Sequence, residues 1–191
     1  MTTAVREFEG KTLPRAGVWH IDPAHSRVGF AVRHLGLSKV RGEFKDFNAE
    51  IVVGERPEDS RVSAEVDASS IDTREEQRDG HLRSADFLDV ENYPTMTFES
   101  TQVRHSGGDD WEIDGNLTIR GTTRPITLNV TFEGAAPDPT QGGAEKAVIS
   151  GSTRVNREDF GLTWNMALET GGWLVGKDVD VDIEVEALRS E

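Results

Sequence analysis

Apolar and polar residues alternate along most of this chain. In SRVGFAVRH (26–34), Val28, Phe30 and Val32 alternate with Gly29, Ala31 and Arg33, the period of a strand with one buried face. His34 falls on the same parity as Phe30 and Val32. An ionisable group there means either a satisfied histidine at a strand end or a face that lines a cavity. VWHID precedes this stretch, with Pro23, Ala24 and His25 as a turn-like break. In VRGEFKDFNAEIVV, Val40, Gly42 and Phe44 share one parity, and Phe47, Ala49, Ile51 and Val53 the other. That switch predicts a β-bulge near Asp46. RVSAEVDAS sets Val62, Ala64, Val66 and Ala68 against charges.

Between Thr73 and Tyr93 the alternation stops, and Leu82, Phe87 and Leu88 stand at loosely helical spacing. One or two helical turns, ended before Pro94, are expected there. Within them, Asp79 to Val90 should cover one end of the β structure, with Leu82 and Phe87 inward and Arg83 and Asp86 in water. Alternation then resumes in TMTFES, WEIDGNLTI and PITLNVTF, the last two joined by a hairpin at GTTR (121–124). APDPTQGGAE reads as a flexible loop. KAVISGSTRVN and VDVDIEVEAL supply the final strands. Roughly eight short strands with one helical insert, and no parallel crossover units, argue an antiparallel sandwich or a closed barrel. Residues 1–16 read as a polar arm with no assigned element, and 17–191 as the β domain. A barrel of about eight strands holds either packed side chains or one small ligand.

Charge narrows the partners. The chain has 191 residues, with 21 Lys and Arg against 35 Asp and Glu, a formal charge of -14. No basic field is available to attract a nucleic-acid backbone, and an anionic membrane surface is disfavoured. Arg6, Glu7, Glu9 and Lys11 interrupt every apolar run at the N-terminus. A secretory signal needs an apolar core of about 7–15 residues, and a membrane span about 18. A cytoplasmic protein with no integral membrane segment is expected. Absence of Cys excludes disulfides, thiolate metal sites and a cysteine nucleophile.

Catalytic signatures are sparse. GGWLVG lacks the context of a phosphate loop, and no G-x-S-x-G elbow occurs. Ser26 follows His25, but neighbours on a strand face opposite ways. His20, Asp22 and His25 fall within six residues, with His34 nearby. No metal-ligand spacing is present, so no metal or cofactor is expected. His81 reads as a helix-start residue bonded to backbone, and His105 as solvated loop. The apolar inventory is richer: Phe30, Phe44, Phe47, Phe98, Trp164, Met166 and Trp173 are spread over separate segments. They fill a core or line an elongated cavity. Small residues on inward parities (Gly42, Ala64, Ala68, Gly115, Ala147) tilt toward the cavity.

WHIDPAHSRVGFAVRHLGLSKVRGEFKDFNAEI resembles the opening of the YceI-like family. RDGHLRSADFLDVENYPTMTFES, GNLTIRGTTRPITLNVTF, NREDFGLTWN and VDVDIEVEA continue the match in the family's order. The resemblance implies an all-β, lipocalin-like eight-stranded antiparallel barrel with a short helical insert. It also implies a non-enzymatic binder that carries or sequesters a long-chain isoprenoid, an isoprenoid quinone or a similar fatty amphiphile. Many members carry a secretion signal, and here this sequence departs. By this reading the ligand-binding residues are Phe30, Val32, His34, Phe44, Phe47, Phe98, Leu117, Trp164, Met166 and Trp173, with His34 near the mouth. An isologous homodimer is one assembly the reading allows. The rival is an enzyme that uses His25, Arg33 and His34 as a polar cluster on a small substrate.

Overall fold

The computed structural model describes residues 5–190. The chain begins with a hairpin of β1 (Val5–Phe8) and β2 (Lys11–Pro14). Its apolar residues alternate with charges over too few positions to stand out in the sequence. Yet Leu13 is buried beside Trp111 and Val130, and the Arg6 guanidinium donates to the carbonyls of Gly54 and Glu55. Residues 5–14 of the stretch read as a polar arm are therefore a hairpin seated on the β domain, and residues 1–4 of it lie outside the described residues.

Three short-strand pairs follow: β3 (Gly17–Ile21) and β4 (Arg27–His34), β5 (Ser38–Phe44) and β6 (Phe47–Val53), β7 (Arg61–Asp67) and β8 (Ile71–Asp72). Helix α1 (Glu76–Arg83) intervenes before the long strands β9 (Thr95–Gly107), β10 (Asp110–Ile119), β11 (Thr122–Asp138), β12 (Ala144–Asn156) and β13 (Val175–Arg189). All pairings are antiparallel. β4 pairs β5 while β3 pairs β6, and β8 pairs β5 while β7 pairs β6. Each short pair is thus one strand broken in the middle. With β9 to β13 they make an eight-stranded barrel, closed where β12 and β13 pair from Lys146↔Leu188 to Asn156↔Asp178. Closure leaves few unpaired edges.

Side chains and backbone groups account for the breaks. Asp22 accepts from the Ala24 N–H at 3.1 Å and caps the turn Pro23–His25. Asp67 does the same for Ser69 at 2.8 Å. At Lys45 and Asp46 the ladder is replaced by bonds from Lys45 N–H to Ser70 O (3.1 Å) and from Asp67 N–H to Asp46 O (2.9 Å). The parity switch there is a break between two strands, not a bulge. The hairpin expected at GTTR (121–124) turns instead on Arg120 and Gly121, both with positive φ (48° and 69°), as a two-residue loop matching strand twist requires, and Thr122 to Arg124 are already ladder. Only the middle of APDPTQGGAE is loop, because β11 runs to Asp138 and β12 starts at Ala144. Asp138 caps the short turn by accepting from the Thr140 N–H at 2.8 Å.

Helix α1 starts earlier than the expected element. The Glu75 carboxylate accepts from the N–H groups of Gln77 (3.1 Å) and Arg78 (2.6 Å), and the helix ends at Ser84. Residues 84–93 continue as turns. Leu82 and Phe87 point into the apolar group containing Ile71, Phe160 and Leu162, as expected. Asp86 is exposed. Arg83 is only partly in water: it is half-buried and donates to Ser69 O (2.7 Å) and Ile71 O (2.8 Å). Those carbonyls lie at the broken β7–β8 corner, and the guanidinium supplies their donors.

Candidate ligand-binding interior

Parity places Val28, Phe30 and Val32 on the inner face of β4. Val28 pairs with Phe44 and Ile183, Phe30 with Gly42 and Val181, and Val32 with Val40 and Val179. The exposure pattern is inverted in the middle of this wall, though not at its ends, where Arg27 is half-buried and Arg33 exposed. Val28, Phe30 and Val32 keep partial accessibility, whereas Gly29 and Ala31 on the outer parity are buried. Across the barrel seam Val179, Val181, Ile183 and Val185 also remain half-buried. A half-buried strand over a filled core does the reverse, with its apolar face dry and its polar face wet. On the outside, the Arg27 side chain lies across Gly29 and covers it.

The fully buried apolar residues fall into separate groups. One, at the α1 end, holds Ala68, Ile71, Phe87, Leu88, Met96, Val155, Phe160 and Leu162, with Phe30, Phe44, Leu117 and Trp164 packed against it. A second is centred on Trp19 and Phe132, a third on Leu13, Trp111 and Val130. The second and third share Ile149, but neither shares a member with the first among the described residues.

Phe30 and Phe44 are brought to 5.7 Å between ring centroids at 43°, an ordinary aromatic pair distance. Phe98 is buried, pairs with Leu117 and Ala64, and its ring leans over Gly115. Phe47 is buried opposite Val66. Glycine at 42 and 115 therefore leaves no free volume, because the rings of Phe30 and Phe98 occupy it. Ala68 and Ala147 are buried inside the apolar groups. The small-residue argument for a cavity fails on these four positions.

Trp164 is held where β12 gives way to a loop. Arg157 is buried and donates to Leu162 O (2.6 Å), Trp164 O (2.9 Å) and Gly176 O (2.9 Å). Burial lowers its pKa from the usual guanidinium value, and the carbonyl cage keeps the charge solvated by protein. Trp164 meets His81 edge-on at 4.6 Å and Phe87 at 5.3 Å. His81 sits in the last turn of α1, not at its start, with Nε2 2.8 Å from Asp86 Oδ2. His81 also meets Phe87 edge-on at 5.1 Å, and sequence reasoning missed the cluster because Trp164, which completes it, lies 83 positions away along the chain.

The remaining candidates are placed elsewhere. His34 is half-buried at the end of β4, opposite Ser38 and Val175. Met166 and Trp173 are 55% and 62% exposed on the loop before β13 and do not join the interior. Nothing in local sequence marks that difference, since strand parity does not extend into a loop. His25 lies before β4 and His34 at its end, about 25–30 Å apart along an extended strand. Arg33 faces outward between them in parity. The polar cluster of the enzymatic alternative is not assembled. His25 Nδ1 instead meets Asp22 Oδ2 at 2.8 Å, which holds the Asp22 carboxyl below its usual pKa. Glu186 stands within reach of both but already carries Lys146 at 2.8 Å.

The YceI-like domain model matches residues 19–187. A UPF0312 protein of Staphylococcus aureus is 38% identical over 172 residues, covering 89% of this chain and 96% of that one. Among solved structures, the Campylobacter jejuni YceI protein superposes with a TM-score of 0.69 at 30% identity, over 83% of this chain and 90% of that one. A polyisoprenoid-binding domain from Saccharophagus degradans shares the fold, with a TM-score of 0.65 at 14% identity, over 90% and 98% of the two chains.

Proposed function

Because the chain belongs to the YceI-like domain family, we propose that its barrel holds one long apolar molecule of isoprenoid type and carries or sequesters it. The observation that carries this reading is the residual exposure of the inner face of β4 and β13. Val28, Phe30 and Val32 on β4, and Val179, Val181, Ile183 and Val185 on β13, are only half-buried, while the outward Gly29 and Ala31 in mid-β4 are buried. The separation of the α1-end apolar group from the other two supports a gap between them. So does the polyisoprenoid-binding neighbour of the same fold.

The energetics suit such a ligand. Each Å2 of apolar surface removed from water contributes about 25 cal/mol. A few hundred Å2 of buried chain then contributes on the order of 10 kcal/mol before ordering costs are subtracted. Few polar contacts are needed for affinity. Head-group choice falls to the end of the interior, where His34 can meet a polar group or water.

Native mass spectrometry after mild purification tests the reading. A co-purifying mass of several hundred daltons, released by organic extraction, is the expected result. A protein that is empty and also fails to bind a fluorescent polyprenyl analogue would overturn it.

A further inference from the structure

Six large hydrophobic residues are exposed among the described residues, and four of them meet at one rim of the barrel: Leu35 (42%), Leu37 (85%), Met166 (55%) and Trp173 (62%). Two loops bring them together. The β4–β5 turn holds Leu35 to Leu37, and the loop before β13 folds into a small hairpin with a bridge between Ala167 and Trp173. The loops are joined by Leu35 N–H to Leu174 O, and Leu174 N–H bonds to Met166 O, both at 2.9 Å. The base of the second loop is fixed by the carbonyl cage of Arg157. Its tip is presented from a held root.

Two features set this rim apart from a chance patch. Leu35 has φ +57°, a left-handed conformation that asparagine or glycine adopts far more readily than leucine. The turn thus displays an apolar side chain to water at a position suited to a polar one. Charge is the second. In a chain of formal charge -14, no acidic residue occurs from Pro23 to Gly42, and Glu169 is the only acid from Gly161 to Gly176. The segments themselves carry Arg33, Lys39 and Arg41; their flanks add Lys177 together with Glu43 and Asp178, and Lys39 pairs with Asp180 at 2.8 Å.

We propose that this rim is a docking surface for a phospholipid bilayer, with Leu37 and Trp173 entering the interface. Tryptophan and leucine at loop tips, flanked by Lys and Arg, suit the headgroup boundary of a membrane. The acidic remainder of the molecule repels an anionic surface, so only this end can approach, and the rim's cations meet the phosphates. The proposal goes beyond ligand carriage and stands without it. If both hold, the end bearing His34 is the one that faces the source of the lipid.

Flotation with vesicles of phosphatidylcholine containing about one-quarter phosphatidylglycerol tests it, with melting curves to confirm folding of each variant. Wild type should float with the vesicles, more weakly as salt rises, and its tryptophan emission should be quenched by shallow brominated lipid. The double variant Leu37→Ser/Trp173→Ser should lose binding at least tenfold and lose most of that quenching. Val148→Ser, at an exposed apolar residue on β12 outside these loops, should change neither. Failure of wild type to float at low salt, or equal flotation by the double variant, would overturn the proposal. So would a dimer that the double variant dissociates, because the patch would then be covered by a second copy. Binding of a polyprenyl analogue in solution is independent of all these outcomes, so failure here leaves the carrier reading standing.

Discussion

The ring of Phe30 fills the space in front of Gly42: a Cβ at Gly42 would stand 2.9 Å from Cε1 of Phe30 and 2.8 Å from Cγ2 of Thr73. The two residues are direct register partners on β4 and β5. An aromatic ring over a cross-strand glycine is a pairing that pins register. Gly42→Ala must push Phe30 toward the interior or spread the strands. A loss of about 1–3 kcal/mol is expected, the usual cost of overpacking. Urea unfolding measures it, and an unchanged midpoint would show that the wall yields freely.

Phe30→Asp should abolish binding of a fluorescent polyprenyl analogue, whereas His34→Ala should weaken it only slightly. Phe30 faces an apolar enclosure that offers a carboxylate no partner, and an unpaired buried charge costs several kcal/mol. His34 stands at the strand end and can exchange a contact for water, at a cost of about 1 kcal/mol. Melting curves must accompany the titrations to separate unfolding from lost binding. Loss of binding in His34→Ala with retention in Phe30→Asp would move the polar end ahead of the apolar wall.

Leu82→Ala should speed release of the bound analogue. Leu82 packs against the apolar group that α1 and residues 84–93 seal at one end of the barrel. Truncating a half-buried leucine there removes about 1–3 kcal/mol of packing. The side chain belongs to the insert, not to the barrel wall, so stopped-flow dissociation should accelerate several-fold with a smaller fall in melting temperature. An unchanged release rate would mark the insert as a fixed plug.

Acid should weaken the β11–β12 corner. Asp138 accepts from Lys146 at 2.7 Å and from Thr140, and these bonds hold its carboxyl far below the usual aspartate range. A carboxyl depressed in the folded state stabilises the fold above its unfolded pKa, near pH 4. That contribution fades as pH falls below about 4 toward the folded value. Lys146 is shifted upward by the same pair and by Glu186, so its contribution is lost only at strongly alkaline pH. Asp138→Asn should therefore be less stable than wild type at pH 7 and approach it as pH drops below 4. Melting temperatures across pH 2 to 8 would show the two curves converging.

Much of the fold was legible from period alone. Val28, Phe30 and Val32 on one side, and Val179, Val181, Ile183 and Val185 on another, declare an inner face because side chains alternate along a strand. Pro23 to His25 and Gly121 declare turns through chemistry local to a few residues, although the second turn pivots one residue earlier than GTTR suggests, on Arg120 and Gly121. The terminal hairpin was hidden because Val5, Phe8 and Leu13 are apolar residues dispersed among charges. Phe8 and Leu13 pack on Trp111 and Val130, and Val5 on the group of Trp19 and Phe132, all but Trp19 far away in sequence.

Tertiary structure decided what local pattern cannot carry. Gly42 and Gly115 look like vacant volume in sequence, but the volume belongs to rings on neighbouring strands. Met166 and Trp173 have the bulk of interior residues, yet a loop has no fixed alternation, and its path sets them in water. His81 becomes an aromatic partner of Trp164 only because a helical insert and a distant loop converge on one end of the barrel. Alternation is a property of backbone geometry and survives in the sequence. Which ring fills which space, and which loops share a rim, depends on register and closure, and these exist only once distant strands have paired.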